Sequence, residues 1–135
     1  MQTMGSRRDS RKNGVTEAMT KRNRTPRLRV LLGSAIAMGP GKAELLEAID
    51  KTGSISKAAK SMGMSYRRAW RLVDTMNCSF KSCLVETNRG GSGGGGAQLS
   101  DLGHEALAQF HKMEEKATAA LASDMKDFTQ LLQDD

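Results

Sequence analysis

The stretch of sequence that decides the fold is I-S-K-A-A-K-S-M-G-M-S-Y-R-R-A-W-R-L-V, residues 55–73. Its first apolar residues recur at helical spacing: Ala58, Ala59 and Met62. Gly63 then interrupts the pattern and can supply the positive φ of a tight turn, and Ser65 can cap a second helix. The apolar side chains of that second helix share one face: Ala69, Leu72, Val73 and Met76. Two short helices joined in this way are typical of a DNA-binding helix-turn-helix.

The segments before this pair predict a hairpin and one helix. Alternating apolar residues from Leu28 to Leu32 favour a strand, and residues 35–37 can return the chain as a second strand. A helix then opens near Pro40, because proline fits a first helical turn, and it ends at Gly53.

The segments after the pair predict a β wing and a long helix. Residues 84–87 and 97–99 favour two strands, and the glycine-rich segment between them forms the tip of their hairpin. Ser100 can cap a helix that runs to about residue 123, and residues 124–135 either continue that helix through Phe128 and Leu131 or fray. The predicted fold class is mainly α with a small β wing, as a winged helix-turn-helix with a long C-terminal dimerisation helix.

Basic charge is concentrated away from the C-terminus. The 135 residues carry a net charge of +6. Residues 1–24 hold seven Lys and Arg against two acids, whereas residues 101–135 hold three against eight. This distribution favours a polyanionic partner. It also predicts three parts: a disordered basic tail at 1–25, a winged helix-turn-helix domain with its dimerisation helix at 26–123, and an acidic C-terminal extension at 124–135.

The second helix of the pair, which we call the recognition helix, carries the candidates for base contact. At about 100° per residue, Arg67 and Arg71 point away from the apolar face and Arg68 lies on its flank. The first turns of such a helix enter the major groove, where arginine can donate two hydrogen bonds to guanine or bind phosphate. A solvated helix face is the alternative interpretation of these arginines.

Residues around the recognition helix are candidates for contact with the DNA backbone. Ser54 and Lys57 begin the preceding helix, at an end that favours phosphate. Arg89, at the base of the wing, can reach phosphate or the adjacent minor groove. Tyr66 can place its hydroxyl on a phosphate, whereas Trp70 is expected to pack between helix and wing.

Three features admit a catalytic or metal-binding interpretation that the sequence disfavours. Cys78 and Cys83 form an isolated C-x4-C pair, so we expect reduced cysteines rather than a zinc site. The glycine-rich segment lacks the Lys-Ser/Thr of a P-loop, so nucleotide binding is not expected. His104 and His111 are expected at the surface or a dimer interface rather than on a metal. We therefore expect no enzymatic activity, no metal and no cofactor.

The long helix carries an apolar stripe that predicts a homodimer. Its members recur at helical spacing: Leu102, Ala106, Phe110, Met113, Ala117 and Leu121. The domain itself can cover only the beginning of such a stripe, so the distal part needs a partner. DNA-binding heads of this size commonly bind two half-sites roughly 34 Å apart, which a dimer satisfies. A helix that folds back on its own domain is the alternative.

Residues 39–77, from G-P-G-K-A-E-L-L to D-T-M-N, resemble the N-terminal DNA-binding domain of ModE-type molybdate-responsive regulators. The core S-Y-x-x-A-W-x-x-x-x-x-M-N carries the match, as does the later G-G-x-G-G-G-G-A-x-L-S/T from Gly90 to Ser100. The resemblance covers about Arg27 to Leu121. The DNA-binding heads of LysR-type regulators are more distantly similar.

The resemblance implies a winged helix-turn-helix that dimerises partly through its last helix and binds an operator. It also implies DNA contact for a group of residues at the recognition helix: Ser65, Tyr66, Arg67, Arg68 and Arg71. Regulators of this type carry C-terminal molybdate-binding modules, whereas the chain stops at Asp135, so we expect no molybdate site in cis.

The leading hypothesis is a sequence-specific transcription regulator that binds double-stranded DNA as a homodimer. The first alternative is a winged-helix protein–protein interaction module without specific DNA binding. A second alternative is a small oxyanion-binding protein that uses the glycine-rich segment. No apolar run approaches the roughly 18 residues of a membrane helix, so we expect no membrane partner and a cytoplasmic, nucleoid-associated location.

Overall fold

The structure is a computed structural model that describes residues 27–32, 35–88 and 96–133. The predicted basic tail and most of the glycine-rich segment, including Arg89, lie outside these residues. The elements follow one another in this order: β1 (Val30–Leu32), β2 (Ala35–Met38), α1 (Pro40–Thr52), α2 (Ile55–Ser61), α3 (Tyr66–Ser79), β3 (Val85–Asn88), β4 (Gly96–Leu99) and α4 (Asp101–Thr129). Every predicted element is present, so the sequence prediction of the element order is confirmed.

The core forms where the apolar stripes of the helices meet. Leu45, Leu46 and Ile49 of α1 are completely buried, because their spacing places them on one helix face. Ala69 and Val73 of α3 are buried against the same core. Each fully buried leucine, isoleucine or valine stabilises the fold by about 1.5–3 kcal/mol. The small side chains of Ala58 and Ala59 in α2 and of Ala69 in α3 are buried and let the two helices pack closely.

Two glycines set the corners of the helix-turn-helix. Gly53 ends α1 with a φ of 72°, and Gly63 follows α2 with a φ of 70°. These are left-handed conformations, which cost a residue with a Cβ roughly 1–2 kcal/mol. The predicted glycine turn between α2 and α3 is therefore confirmed, and its reason is backbone geometry.

The wing is an antiparallel hairpin that is fastened to the helices on both sides. Strands β3 and β4 pair from Val85 with Leu99 to Asn88 with Gly96. The Ala97 amide donates to the Gly53 carbonyl at 3.0 Å, which ties β4 to the corner between α1 and α2. At its other end the wing is held by Asn77 of α3, whose side-chain oxygen accepts from the Leu84 amide at 2.8 Å and from the Val85 amide at 3.1 Å. The wing is therefore oriented relative to α3 by hydrogen bonds.

The first turn of α4 lies against the segment that leads into the wing. Ser100 caps the helix, because its hydroxyl oxygen accepts from the Gly103 amide at 3.0 Å and its hydroxyl donates to the Cys83 carbonyl at 2.7 Å. Gly103 is buried, and a Cβ at this position would lie 2.2 Å from the Leu84 carbonyl oxygen. Only glycine therefore permits this approach of helix and backbone.

The burial of side chains along α4 contradicts part of the predicted dimer stripe. Phe110 is 2% exposed and belongs to the core of its own domain. Leu102 and Ala106 are half-buried and pack against the same core. The predicted interface is wrong for Phe110, because a side chain that its own fold covers offers no surface to a second copy. The exposed members of the stripe are Met113 and Leu121, each 42% exposed.

The chain divides into two compact units. Residues Arg27–Glu115 form one, and the second includes the end of α4 from Lys116 onward. In that second unit Phe128 and Leu131 are exposed. Among the described helices, none combines the length and apolar character needed to cross a membrane.

Candidate nucleic-acid interface

Helix α3 separates a buried face from a basic face. Ala69, Val73 and Met76 are completely buried, and Leu72 is half-buried. The guanidinium-bearing residues lie on the rest of the surface: Arg67, Arg68 and Arg71 are all exposed. Among the described residues, no carboxylate forms an ion pair with any of the three. These side chains can therefore turn their donors toward an anionic ligand.

The serines predicted at the interface cap helices. The Ser65 hydroxyl oxygen accepts from the Arg68 amide at 3.0 Å, and the Ser54 hydroxyl oxygen accepts from the Lys57 amide at 3.0 Å. Each cap satisfies one amide at a helix start, and each hydroxyl keeps its hydrogen for a further acceptor. Ser65 and Lys57 are exposed, and Ser54 is half-buried. The structure thus brings these predicted residues to the surface that leads into α3.

The two aromatic residues of α3 form a pair at the edge of its buried face. The rings of Tyr66 and Trp70 lie 6.3 Å apart between centroids, with an interplanar angle of 81°. This edge-to-face arrangement is a favourable geometry for aromatic side chains. Tyr66 is 54% exposed and Trp70 is 36% exposed. Trp70 was predicted to pack between helix and wing; it lies on the side of α3 toward the wing, and part of it stays exposed there.

A cleft of about 600 Å³ opens between the helix-turn-helix and the wing. Trp70 and Ile55 supply apolar surface in this cleft. Its polar side chains come from both sides: Ser54, Ser56, Tyr66, Thr87 and Asn88. The backbone of β4 completes the lining at Gly96 and Ala97. We call this space the hydroxyl cleft.

Sequence reasoning missed three of the residues that shape this surface. Ser56 and Thr87 gave no signal, since they are small polar residues whose meeting depends on how the wing is oriented. Asn77 had a weak signal, because it ends the M-N motif that the recognition helix carries. Asn77 orients the wing: its side-chain oxygen accepts hydrogen bonds from the Leu84 and Val85 amides, and its side-chain amide donates to the Val85 carbonyl at 3.2 Å.

A polar network joins α1 to α4, away from the recognition helix in sequence. His111 pairs with Glu47 and lies 3.5 Å from Glu114, and Arg27 donates to Glu44 at 3.0 Å. His104 lies 3.8 Å from Asp50. These side chains are mostly exposed, so each pair contributes at most about 1 kcal/mol. The two histidines are at the surface, where they contact carboxylates of α1.

Among the described residues, the two cysteines do not belong to a group of side chains that could bind a metal. Cys78 and Cys83 are both free and exposed. The described ranges contain no group of three or more His, Cys, Asp or Glu side chains that could hold a metal ion.

Several bacterial proteins are similar to this chain in sequence. It is 41% identical over 85 residues to the molybdenum transport protein ModE of Azotobacter vinelandii, an alignment that covers 63% of this chain and 32% of the relative. It is 38% identical over 88 residues to the DNA-binding transcriptional dual regulator ModE of Escherichia coli K12, which covers 63% and 34% respectively. The chain thus spans about a third of the length of these relatives. No protein-family model matches it.

The fold has a counterpart among solved structures. The crystal structure of the CbnR_DBD-DNA complex aligns with a TM-score of 0.51 and 20% sequence identity, over 64% of this chain and 94% of that chain. At this identity the likeness concerns the fold, which is a winged helix-turn-helix. The chain therefore has the winged helix-turn-helix fold, and its predicted resemblance to ModE-type regulators is confirmed over the part that aligns with them.

Proposed function

We propose that this protein is a sequence-specific, DNA-binding transcription regulator. The observation that carries the proposal is the exposed basic face of α3, with Arg67 and Arg71 opposite a buried apolar face and Arg68 on its flank. A relative named a DNA-binding transcriptional dual regulator supports it, as does the fold of a domain solved in complex with DNA. Such a regulator would act on chromosomal DNA, at the cytoplasmic nucleoid.

In the proposed complex the start of α3 enters the major groove. Arg67 and Arg71 would donate pairs of hydrogen bonds to guanine edges, which is the commonest specific contact of arginine with DNA. Arg68, Ser65 and Lys57 would contact phosphates and hold the helix in register. Arg89, outside the described residues, is proposed to reach phosphate or the minor groove from the wing. The proposed activity is binding, with no catalytic step and no cofactor.

We further propose that the regulator binds as a homodimer through the distal part of the α4 stripe. Met113, Ala117 and Leu121 are spaced four residues apart and lie on one side of the helix. Met113 also lines an apolar groove. The other walls of this groove include Val30 of β1, Met38 of β2 and Phe80, which follows α3. A second copy would remove this apolar surface from water.

Selection from a pool of random duplexes tests the proposal. The protein is incubated with the pool, bound duplexes are amplified over several rounds, and the affinities for a selected duplex and its scrambled version are measured by fluorescence anisotropy. We expect the selected duplex to bind at least about a thousandfold more tightly. Equal binding of both duplexes, or no binding, would contradict the proposal. That result would favour the alternative of a protein–protein interaction module.

A further inference from the structure

We propose that the hydroxyl cleft binds a phosphodiester group of the DNA backbone through neutral hydrogen-bond donors. This inference rests on the proposed function, and it assigns the cleft a ligand chemistry and a set of residues. The ligand would enter between the recognition helix and the wing, beside the arginines of α3. The donors would be the hydroxyls of Tyr66, Ser56 and Thr87 and the side-chain amide of Asn88.

The first argument is that the hydroxyls of Ser56, Tyr66 and Thr87 have no hydrogen-bond partner among the described residues. All three residues are exposed and line the same cleft. Their donors are therefore available to a ligand, and an oxyanion with several acceptor oxygens can satisfy more than one of them.

The second argument is the charge of the cleft. Among the described residues, neither a carboxylate nor a cation lines it. From these described side chains an anion meets no repulsive carboxylate, and it gains no ion pair with them. A free oxyanion would exchange its hydration for a few neutral donors, which is a weak driving force. A phosphate that the α3 arginines already hold close has a high effective concentration at the cleft, so neutral donors suffice.

The third argument is the shape of the cleft. Its volume of about 600 Å³ is more than one phosphate needs, and it leaves room for the attached sugars. Trp70 supplies apolar surface that a deoxyribose ring can contact, and its 36% exposure shows that the wing leaves this surface accessible. The same opening makes Trp70 a natural reporter, because it is the one tryptophan of the chain.

Binding of a phosphate by neutral hydroxyl donors predicts a different salt dependence from binding by lysine or arginine. Each phosphate that a lysine or arginine neutralises adds about 0.9 to the slope of log affinity against log salt, since a counterion is released. Hydroxyl donors release none. Removing them should therefore weaken binding without changing that slope. Tyr66→Phe, Ser56→Ala and Thr87→Val each delete one hydroxyl and retain the size of the side chain or the local backbone preference.

The experiment measures binding of these variants to a selected duplex and to a random 30-bp duplex over a range of salt concentrations. We expect each variant to bind both duplexes roughly two- to tenfold more weakly, with an unchanged salt slope. Lys57→Gln provides the contrast, because it should flatten the slope by about 0.9. Ser82→Ala, at an exposed serine outside the cleft, is the matched control and should bind like the wild type. Unfolding temperatures equal to that of the wild type would show that the variants fold.

A modified backbone locates the contact. Single phosphates of the selected duplex are replaced one at a time by neutral methylphosphonates. One position should weaken wild-type binding and have a smaller effect on Tyr66→Phe, since the partner hydroxyl is already gone. Trp70 emission should change with duplex and become less accessible to acrylamide, and it should not respond to millimolar inorganic phosphate or molybdate.

Three outcomes would overturn the inference. The first is that the cleft variants bind as tightly as Ser82→Ala. The second is that their salt slope flattens like that of Lys57→Gln. The third is that inorganic phosphate or molybdate alone changes Trp70 emission. The last outcome would assign the cleft to a free oxyanion. Failure of the proposed function itself is distinct, since the wild type would then bind no duplex selectively and the arginine variants would match it.

Discussion

At the scale of single residues, two arginines of the recognition helix are placed to contact a ligand. Arg67 and Arg71 are exposed on the side of α3 opposite Ala69 and Val73, whose burial fixes the rotation of the helix in the fold. An arginine side chain at either position can therefore reach outward without disturbing the core. The structure thus separates residues that hold α3 in place from residues that are free to contact a ligand.

Replacing Arg67 or Arg71 by alanine should relax sequence specificity. We expect a loss of about 1–3 kcal/mol in binding to a selected duplex and a much smaller loss on a random one, because a lost base contact affects only the matching base. Anisotropy titrations at one salt concentration measure both. Lys112→Ala, at an exposed position of α4, is the control. Equal losses on both duplexes would show that these arginines bind phosphate.

Position 103 has no room for a side chain. A Cβ there would lie 2.2 Å from the Leu84 carbonyl oxygen and 3.3 Å from the Leu99 Cβ, so backbone must move to admit it. We expect Gly103→Ala to lower the free energy of unfolding by about 1–3 kcal/mol or more. Gly41→Ala is the matched control, because its Cβ would meet nothing within 4 Å and alanine favours a helix. Urea unfolding distinguishes them, and equal stability of the two variants would contradict the close approach.

At the scale of elements, the wing and the recognition helix form a unit through Asn77. Its side chain makes three hydrogen bonds to the Leu84 and Val85 backbone, just where the chain enters β3. The Ala97 amide, which donates to the Gly53 carbonyl, fastens β4 on the opposite side. These two attachments orient the wing relative to α3, and the hydroxyl cleft lies between the two.

Asn77→Ala should therefore destabilise the protein and loosen the wing together. We expect the free energy of unfolding to fall by about 1–3 kcal/mol, since the Leu84 and Val85 amides lose a half-buried acceptor. Hydrogen exchange should accelerate at those two amides more than in α1. Asn77→Asp keeps the acceptor and should retain part of the stability. Unchanged exchange in Asn77→Ala would show that the wing is held by other contacts.

At the scale of the whole molecule, the distribution of exposed apolar surface bears on assembly. The domain covers Phe110 and leaves Met113 and Leu121 at 42% exposure each. Burying each of these side chains against a second copy would contribute about 1.5–3 kcal/mol. The proposed dimer therefore relies on the part of α4 that follows Phe110 and on the apolar groove beside Met113.

Sedimentation at micromolar concentration should show a dimer of the wild type. We expect Met113→Asp to give a folded monomer with weaker binding to a selected duplex, because a buried carboxylate opposes association and a lone head contacts one half-site. Ala108→Asp introduces the same charge at an exposed position on another side of α4 and should remain dimeric. A monomeric wild type would reject the dimer.

The sequence by itself determined the order of the elements and most of their starts, because the signals for these are local. It did not determine the end of α4, which continues to Thr129, past the predicted end near residue 123. The caps at Ser54, Ser65 and Ser100, the left-handed turn at Gly63 and the apolar spacing of α3 each act within a few residues. The outward direction of the α3 arginines followed from the same spacing. These features were predicted correctly, since helical geometry relates sequence position to direction.

Only the tertiary structure decided how far the domain covers α4, because that depends on segments distant in sequence. The apolar spacing of α4 does not distinguish Phe110, which its own core buries, from Met113, which remains exposed. Position 103 requires glycine because the Leu84 carbonyl lies so close to it. The hydroxyl cleft depends on the orientation of the wing, which hydrogen bonds to Asn77 and Gly53 hold. Periodicity specifies which face of an element is apolar, whereas packing selects what covers that face.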